Sequence, residues 1–575
     1  MQCPALVPVL VNTYRSDIPL FVGGEILLSQ EGTTQGDPLA MAMYAIATIP
    51  LIRHTQQPLC TQAWFADDAT AGGRLTALKS WWDNLLLHGP SFGYFPNSVK
   101  TWLVVKVEHL SSAAEIFSSS GIQISTEGRR HLGGALGFGS FTEEFVKVKV
   151  KKWVADVERL SLVAQNQPHC AYAAFCHGLL GRWIYLSRIV PDIADLLQPI
   201  DSAIQQRFIP ALTGRPEPGL LERQLLALPT RLGGLGLSIP SVVAPEQHAA
   251  SLRITAPLAA LIAQQGYCLG DATDEQQVIK GTIHRERQSA HHVESARLRE
   301  QLSPSLQHCL SLAQEKGASN WLSALPLEQH GFHLSKSEFR DALCLRYDWP
   351  IAHLPTDCVC GQSFSAAHAL SCPTGGFPTV RHNEVRDVLA KLLSEVSPDV
   401  CSEPVLQPLT GEHFRRRTTN TDDHARLDIR ARGFWGGRFE VAFFDVRIFN
   451  PTAPSNRSRP LPSVYRSQER QKINLYEERV REVERGSFTP LVFSTTGGVS
   501  KLTSVFLRTL ASKLAEKRDV PYSTLICWLR TVLNFSLLRA AVMCLRGSRS
   551  SSRRLVCETE HLPLLAVSEA HLQSV

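Results

Sequence analysis

Apolar and polar positions follow two rhythms along this chain, and each change of rhythm marks a change of structure. A glycine-punctuated turn from Gln30 to Leu39 runs into the apolar stretch Ala40 to Ile52, which predicts a helix. The tetrapeptide Phe65-Ala66-Asp67-Asp68 then stands between an apolar run and the small-residue turn Ala69 to Gly73, which predicts a hairpin tipped with carboxylates. From Phe145 to about Gly214 the period is helical, with Trp153, Val154, Val157 and Leu160 on one stripe, and helical segments continue to about Leu343. Arg381 to Asp387 starts another helix. Ala425 to Ala431 and Phe439 to Ile448 read as strands, and Gly433-Phe434-Trp435-Gly436-Gly437 between them is a hairpin signal. Gln468 to Tyr476 reads as a helix. Ser523 to Leu545 is the most apolar long window, but Arg530, Asn534 and Arg539 within it would be costly in a bilayer. It therefore predicts a packed amphipathic helix, with no membrane partner.

Composition sets the class. At 575 residues the chain has room for three or four domains, and 44% hydrophobic with 19% charged residues is globular rather than disordered. The formal charge of +6 is too mild to establish a polyanion partner. Local clusters say more: Lys147 to Lys152, Arg415-Arg416-Arg417, and Arg546 through Arg554 would each suit phosphates, or simply a solvated face. The 14 cysteines are scattered, and Met1 to Leu10 is apolar without a cationic n-region, so no signal peptide is expected. The expected compartment is reducing, nucleus or cytoplasm, and the protein is not secreted.

Three constellations carry candidate chemistry. Asp67 and Asp68 would repel each other unless a cation lay between them, so they form a platform for Mg²⁺ and phosphoryl transfer; a solvated hairpin tip is the plainer alternative. Cys358, Cys360, His368 and Cys372 offer three thiolates and one imidazole, a donor set for tetrahedral Zn²⁺ in a structural site; three unrelated buried cysteines are the alternative. The one-residue gap between Cys358 and Cys360 is tighter than the usual two to four. Asp428 at a strand start and Asp445 on the paired strand could meet at one metal, although two strand aspartates and a helical lysine form a weak pattern alone.

Taken in order, Gln30 to Leu39, Phe65 to Asp68, Gly93 to Thr101 and Arg130 to Gly137 resemble motifs B, C, D and E of a reverse-transcriptase palm. The resemblance implies that Gln35 and Gly36 approach the template base pair, that Asp67 and Asp68 bind Mg²⁺, and that Lys100 faces the triphosphate of a dNTP. The family holds its metals with a third carboxylate several dozen residues before the glycine-rich motif. Only 34 residues precede Gln35, and Asp17 and Glu25 look like the segment just ahead of motif B. The fingers and motif A are therefore expected to be missing, and Met1 reads as the start of a truncated or decayed copy. Leu228 to Leu237 resembles the end of the thumb in non-LTR retrotransposon polymerases.

The second half resembles a PD-(D/E)xK nuclease core. The likeness implies that Asp428 and Asp445 hold Mg²⁺ and that a lysine positions the attacking water. Arg447 stands where the family has its lysine, and a guanidinium cannot give up a proton near neutral pH. Lys472 is the expected substitute, and Arg447 the expected phosphate contact. A migrated lysine after a Cys-Cys-His-Cys knuckle and an Arg-His-Asn string resembles the restriction-like endonucleases of site-specific non-LTR retrotransposons. The whole then reads as multidomain α+β. Residues 1–140 would be a partial palm, 141–245 a helical thumb, 246–345 a helical linker, 346–383 the zinc knuckle, 384–500 the endonuclease and 501–575 a helical region with a basic tail. The implied function is RNA-directed DNA synthesis, doubtful in this shortened chain, with Mg²⁺-dependent cleavage of target DNA; the implied partners are RNA template, target DNA and dNTPs. A catalytically dead nucleic-acid-binding remnant is the alternative, and a non-enzymatic protein would bury these acids in ion pairs.

Overall fold

The structure, a computed structural model, describes residues 4–29, 37–265, 270–437, 439–547 and 549. Gln35 and Gly36 lie outside the described residues, as do Arg553 and Arg554. The chain is helix-rich, with five small sheets among the described residues, and divides into two compact units. This is a multidomain, helix-rich architecture with small sheets, compatible with α+β.

The first unit comprises Met1–Val148, Leu186–Ile193 and Pro245–Arg285. It contains the hairpin β1 (Ile18–Val22) and β2 (Glu25–Ser29), helix α1 (Ala40–Thr55), the hairpin β3 (Cys60–Phe65) and β4 (Asp68–Gly73), and helix α2 (Leu75–His88). A parallel pair, β5 (Trp102–Val104) and β6 (Gln123–Ser125), and a hairpin, β7 (Gly128–His131) and β8 (Gly134–Gly137), follow. The β3–β4 hairpin is seated on α1 and α2 through Leu51, Cys60, Trp81, Trp82 and Leu85. One buried amide organises that seat. Gln62 donates to the Ile52 carbonyl at 2.8 Å, and its Oε1 accepts from the Thr55 hydroxyl and from the indoles of Trp64 and Trp81 at 3.0–3.1 Å. The Thr55 hydroxyl and the Trp64 and Trp81 indoles are thereby satisfied away from water, whereas the Trp82 indole in the same cluster has no partner among the described residues.

The second unit comprises Lys149–Tyr185, Ala194–Ala244 and Glu286–Val575. The glycine-rich string Leu228 to Leu237 is gripped by helix α3 (Lys336–Tyr347): Arg346 donates to the Thr230 and Gly234 carbonyls at 2.8 and 3.1 Å, and the Tyr347 hydroxyl to the Gly233 carbonyl at 2.9 Å. Helix α4 (Phe377–Val396) precedes β9 (Val400–Ser402), β10 (Ile429–Arg432) and β11 (Val441–Phe449); helix α5 (Leu461–Arg479) then crosses to β12 (Ser487–Ser494). The sheet order is β12-β11-β10-β9, with β11 parallel to β12 and the other pairs antiparallel. Only a crossover such as α5 can join a parallel pair. Strand β11 is a nearly unbroken apolar run because, as a central strand, it is covered on both faces.

Helices α6 (Lys501–Arg518) and α7 (Tyr522–Arg546) complete the unit. Helix α7 is long and apolar enough to cross a membrane, yet 72% of its apolar window is buried inside the protein. It is buried nearly all round rather than on one stripe, so it is a core helix and not the amphipathic one its charges suggested. Asn534 is satisfied there by the Trp321 N–H and the Ala318 carbonyl, and Arg539 by the His333 carbonyl. The basic tail also begins inside the fold. Arg546 pairs with buried Asp341 at 2.7 Å, and Arg549 lies over the rings of Phe364 and Phe377.

Burial pushes the Glu315 carboxyl up to about 7, and its Oε2 has no hydrogen-bond partner among the described residues. The nearby Tyr465 hydroxyl opposes that rise only in part. A carboxyl raised in the folded state stabilises below its unfolded pKa and loses that contribution as pH climbs through about 7. Glu315→Gln should therefore stabilise the protein by about 2–3 kcal/mol at pH 8 and hardly at all at pH 4.5. Urea denaturation at the two pH values measures this, and an equal effect at both would refute it.

Candidate metal and nuclease sites

The knuckle is built from a tight turn and one short helix. Cys358 accepts from the Gly361 N–H and donates to the Gln362 carbonyl, each at 2.8 Å, across an Asp357–Ser363 bridge. Gly361 sits at φ +82°, a left-handed conformation that lets the chain reverse at once after Cys360. Ser365 then caps a helical turn by accepting from the His368 N–H at 3.1 Å, and the Cys372 N–H donates to the His368 carbonyl at 2.8 Å. The short Cys-Val-Cys spacing is thus absorbed by the turn. All four ligand atoms lie within 4.8 Å of one another.

The Cys358 and Cys372 sulfurs are 3.8 Å apart, and Cys360 Sγ is 3.4 Å from His368 Nε2. A tetrahedron with Zn–S of about 2.3 Å and Zn–N of about 2.05 Å has edges of about 3.8 and 3.5 Å. A disulfide, at about 2.05 Å, is excluded by the same separation. These residues could hold one zinc ion with no open position. Cys344 stands apart, its thiol directed at the Pro350 carbonyl at 3.7 Å. The knuckle is fixed to the sheet by Asn450, whose amide donates to the Ala367 carbonyl and the Ser371 hydroxyl at 2.9 Å. It is fixed to α4 and α7 by the Leu370, Phe377, Ala541 and Cys544 cluster.

The second site lies on the sheet. In the β10–β11 register Ile429 faces Phe444, so one further step sets Asp428 opposite Asp445. Alternation along β11 puts Phe443, Asp445 and Arg447 on one face. That face meets α5: Phe443 packs with Val480 and Tyr476. Lys472, one helical turn before Tyr476, brings Nζ to 2.7 Å from Asp445 Oδ2. The approach is an ion pair without hydrogen-bond alignment, for Oδ2 has no aligned donor. Asp445 is 4% exposed. Its carboxyl is raised to about 6 by burial, against the pull of Lys472, with the charge of Asp428 adding to the rise.

Asp428 is half-buried and differently satisfied. Its Oδ2 accepts from the Val446 N–H at 2.6 Å and lies 3.1 Å from His382 Nε2. Burial disfavours charge on His382, but the contact and charge of Asp428, with Asn383 and Asp445, hold its pKa above the usual value. This partnership is invisible in sequence because it joins residues on separate elements; the Arg381-His382-Asn383 string was its only trace. Arg447 is exposed, and its Nε donates to Gln468 Oε1 at 3.1 Å.

Asp67, Asp68 and Lys100 are more open. Asp67 and Asp68 are exposed at the β3–β4 tip, where Ala66 adopts φ 52°. The Tyr94 hydroxyl donates to the Asp67 carbonyl at 2.8 Å, and burial followed by the charges of Tyr44, Asp67 and Asp68 raises that phenol to about 12. Thr70 on β4 is 3.2 Å from His131 Nε2 at the end of β7, so the Asp-Asp hairpin adjoins the glycine-rich hairpin β7–β8. Lys100 is exposed in a 3₁₀ turn, Ser98–Lys100, with its backbone N–H capped by Asn97. No protein-family model matches this chain, and no curated protein matches it either.

Purified protein should carry about one zinc per chain by elemental analysis, since the donor set leaves no fifth position. Cys358→Ser and Cys372→Ser should each release it and lower the thermal midpoint. Metal content unchanged by both substitutions would remove the assignment.

Proposed function

We propose that this chain derives from a non-LTR retroelement protein, and that its second half is a Mg²⁺-dependent DNA endonuclease. The observation that carries the reading is the meeting of Asp445 with Lys472 at 2.7 Å, beside Asp428 in the next strand. Three antiparallel strands, a crossover helix and a parallel strand are the framework on which that triad stands. Asp428 and Asp445 would hold Mg²⁺, which supplies Lewis-acid polarisation of the phosphate and of an attacking water. Lys472 then holds that water by hydrogen bonding and offsets charge developing on the phosphate. His382 keeps the Asp428 carboxylate turned toward its partner. Arg447 can reach a phosphate by releasing Gln468, and the zinc knuckle holds α4, hence His382, against the sheet.

A second reading has its own support. Asp445 is buried in an ion pair and Asp428 is hydrogen-bonded, which is how a non-catalytic remnant would keep such acids. Cleavage decides between the two. Asp445→Ala should reduce Mg²⁺-dependent nicking of supercoiled DNA by more than about a hundredfold while changing DNA affinity less than about twofold, because it removes a metal ligand and no cation. Arg447→Ala should instead weaken affinity. Nicking that survives Asp445→Ala would leave the binding remnant standing.

For the first half we propose a reverse-transcriptase palm fragment in which Asp67, Asp68 and Lys100 occupy the polymerase positions. Two carboxylates alone complete the metal site poorly, so this chain should not extend a DNA primer on RNA with dNTPs. Mg²⁺-dependent extension that is lost with Asp68→Ala would show the palm to be complete.

A further inference from the structure

The stretch between Ser402 and Ile429 has no helix and no strand, yet it is held as firmly as either. Its backbone groups need partners, and two adjacent residues near the end of α5 provide them. Glu478 accepts from the Arg415 and Arg416 N–H groups at 2.8 and 3.0 Å and from the Thr419 hydroxyl at 3.3 Å. Those donors hold its carboxyl below the usual range, the two backbone bonds first. Arg479, fully buried, donates to the carbonyls of Asn420, Asp422 and Gln407 at 2.7–3.0 Å. The Asn420 N–H reaches the Leu475 carbonyl at 2.8 Å, three residues beyond Lys472. A long irregular segment anchored by buried charges is rarely a mere connection.

What this anchoring presents is selective. Arg416 is exposed but engaged, donating to Glu477 at 2.9 Å and to the Ile473 carbonyl at 3.1 Å. Arg415 and Arg417 are exposed, and neither guanidinium has an ion pair or hydrogen bond among the described residues. The nearby carboxylates are engaged: Glu412 by Thr410, Asp422 by His424 and Glu484 by Gln407. The loop that carries these two free guanidiniums is thus anchored against the helix that bears Lys472.

We infer that residues 411–420 form a duplex-DNA arm flanking the Asp428, Asp445 and Lys472 site, with Arg415 and Arg417 seated on backbone phosphates and Arg416 serving only to fix the arm. The inference rests on the nuclease reading for its choice of DNA, whereas the arm's geometry stands without it. Phosphate contacts of this kind are sequence-independent and position the duplex.

The test measures binding of the full chain to a labelled duplex in EDTA, where no cleavage occurs, across a series of salt concentrations. The Arg415→Ala, Arg417→Ala double variant should bind about tenfold more weakly, and its slope of log affinity against log salt should shrink by about 2. Replacing both with Lys should keep the slope, and Arg416→Ala should leave it unchanged. An unaltered slope in the double variant overturns the arm, as does an equal loss with Arg416→Ala. Single-stranded RNA bound more tightly than the duplex through the same two arginines overturns the assignment to DNA. Loss of binding in the double variant, with no Mg²⁺-dependent nicking by the unmodified protein, would uphold the arm and sink the nuclease reading. Unimpaired nicking with arm-independent binding would do the reverse.

Discussion

Two carboxylates that face each other across adjacent strands in a sheet's interior repel strongly, and much of the second unit is arranged around that repulsion. In water a pair of charges a few ångströms apart interacts by about 1 kcal/mol, but near or below a protein surface the figure is several times larger. Asp428 escapes by accepting a backbone N–H and approaching a histidine with a raised pKa. Asp445, deeper, has the Lys472 ammonium instead. Each solution fixes a piece of the fold: His382 requires α4 to lie against the strand ends, and Lys472 requires the crossover helix to pass over the β11 face.

Charged groups used as backbone partners recur throughout this unit. Arg346 binds the glycine-rich string, Arg381 donates to the Leu370 carbonyl behind the knuckle, and Arg479 gathers the loop before β10. All three are buried, which is unfavourable unless their donors are used, and the Nε of each is left without a hydrogen-bond partner among the described residues. The common reason is geometric. Segments without a ladder leave carbonyls that only a fork of several N–H donors can satisfy at once, and a guanidinium is the side chain with that fork. The Cys358–Cys372 segment, whose donor set could hold zinc, faces a similar need. It has little core of its own, so four side-chain donors and the Asn450 amide hold what packing alone would not.

Local pattern made part of this legible. The hairpin around Asp67 and Asp68 follows from the apolar run and the small-residue turn, and β10 and β11 from two strand-like runs with the glycine hairpin between them. The knuckle residues were legible because donor type and spacing are local. Lys472 was found only through the misfit of Arg447, since a guanidinium is a poor proton carrier. The partners of Asp428 were not legible: His382 precedes it on another element, and nothing in a helix start says which strand it will meet. The charges near the end of the chain misled for the opposite reason. Arg546 looks solvated in sequence, but its partner Asp341 lies two hundred residues earlier.

The two aspartate pairs show why burial, and not the pair itself, sets what each can do. At the β3–β4 tip, Asp67 and Asp68 are exposed, water screens them, and no lysine is drawn in among the described residues. That pair can wait for a cation without any surrounding structure. The pair on β10 and β11 cannot, because Asp445 is nearly closed off from water, and burial favours either its protonation or a matching cation. Lys472 matches it in this state. Any divalent cation that joined the two acids would relieve the same repulsion and weaken the hold of the carboxylate on the amine. Lys472 is therefore held beside Asp445 by electrostatic necessity alone, from the helix that crosses the β11 face.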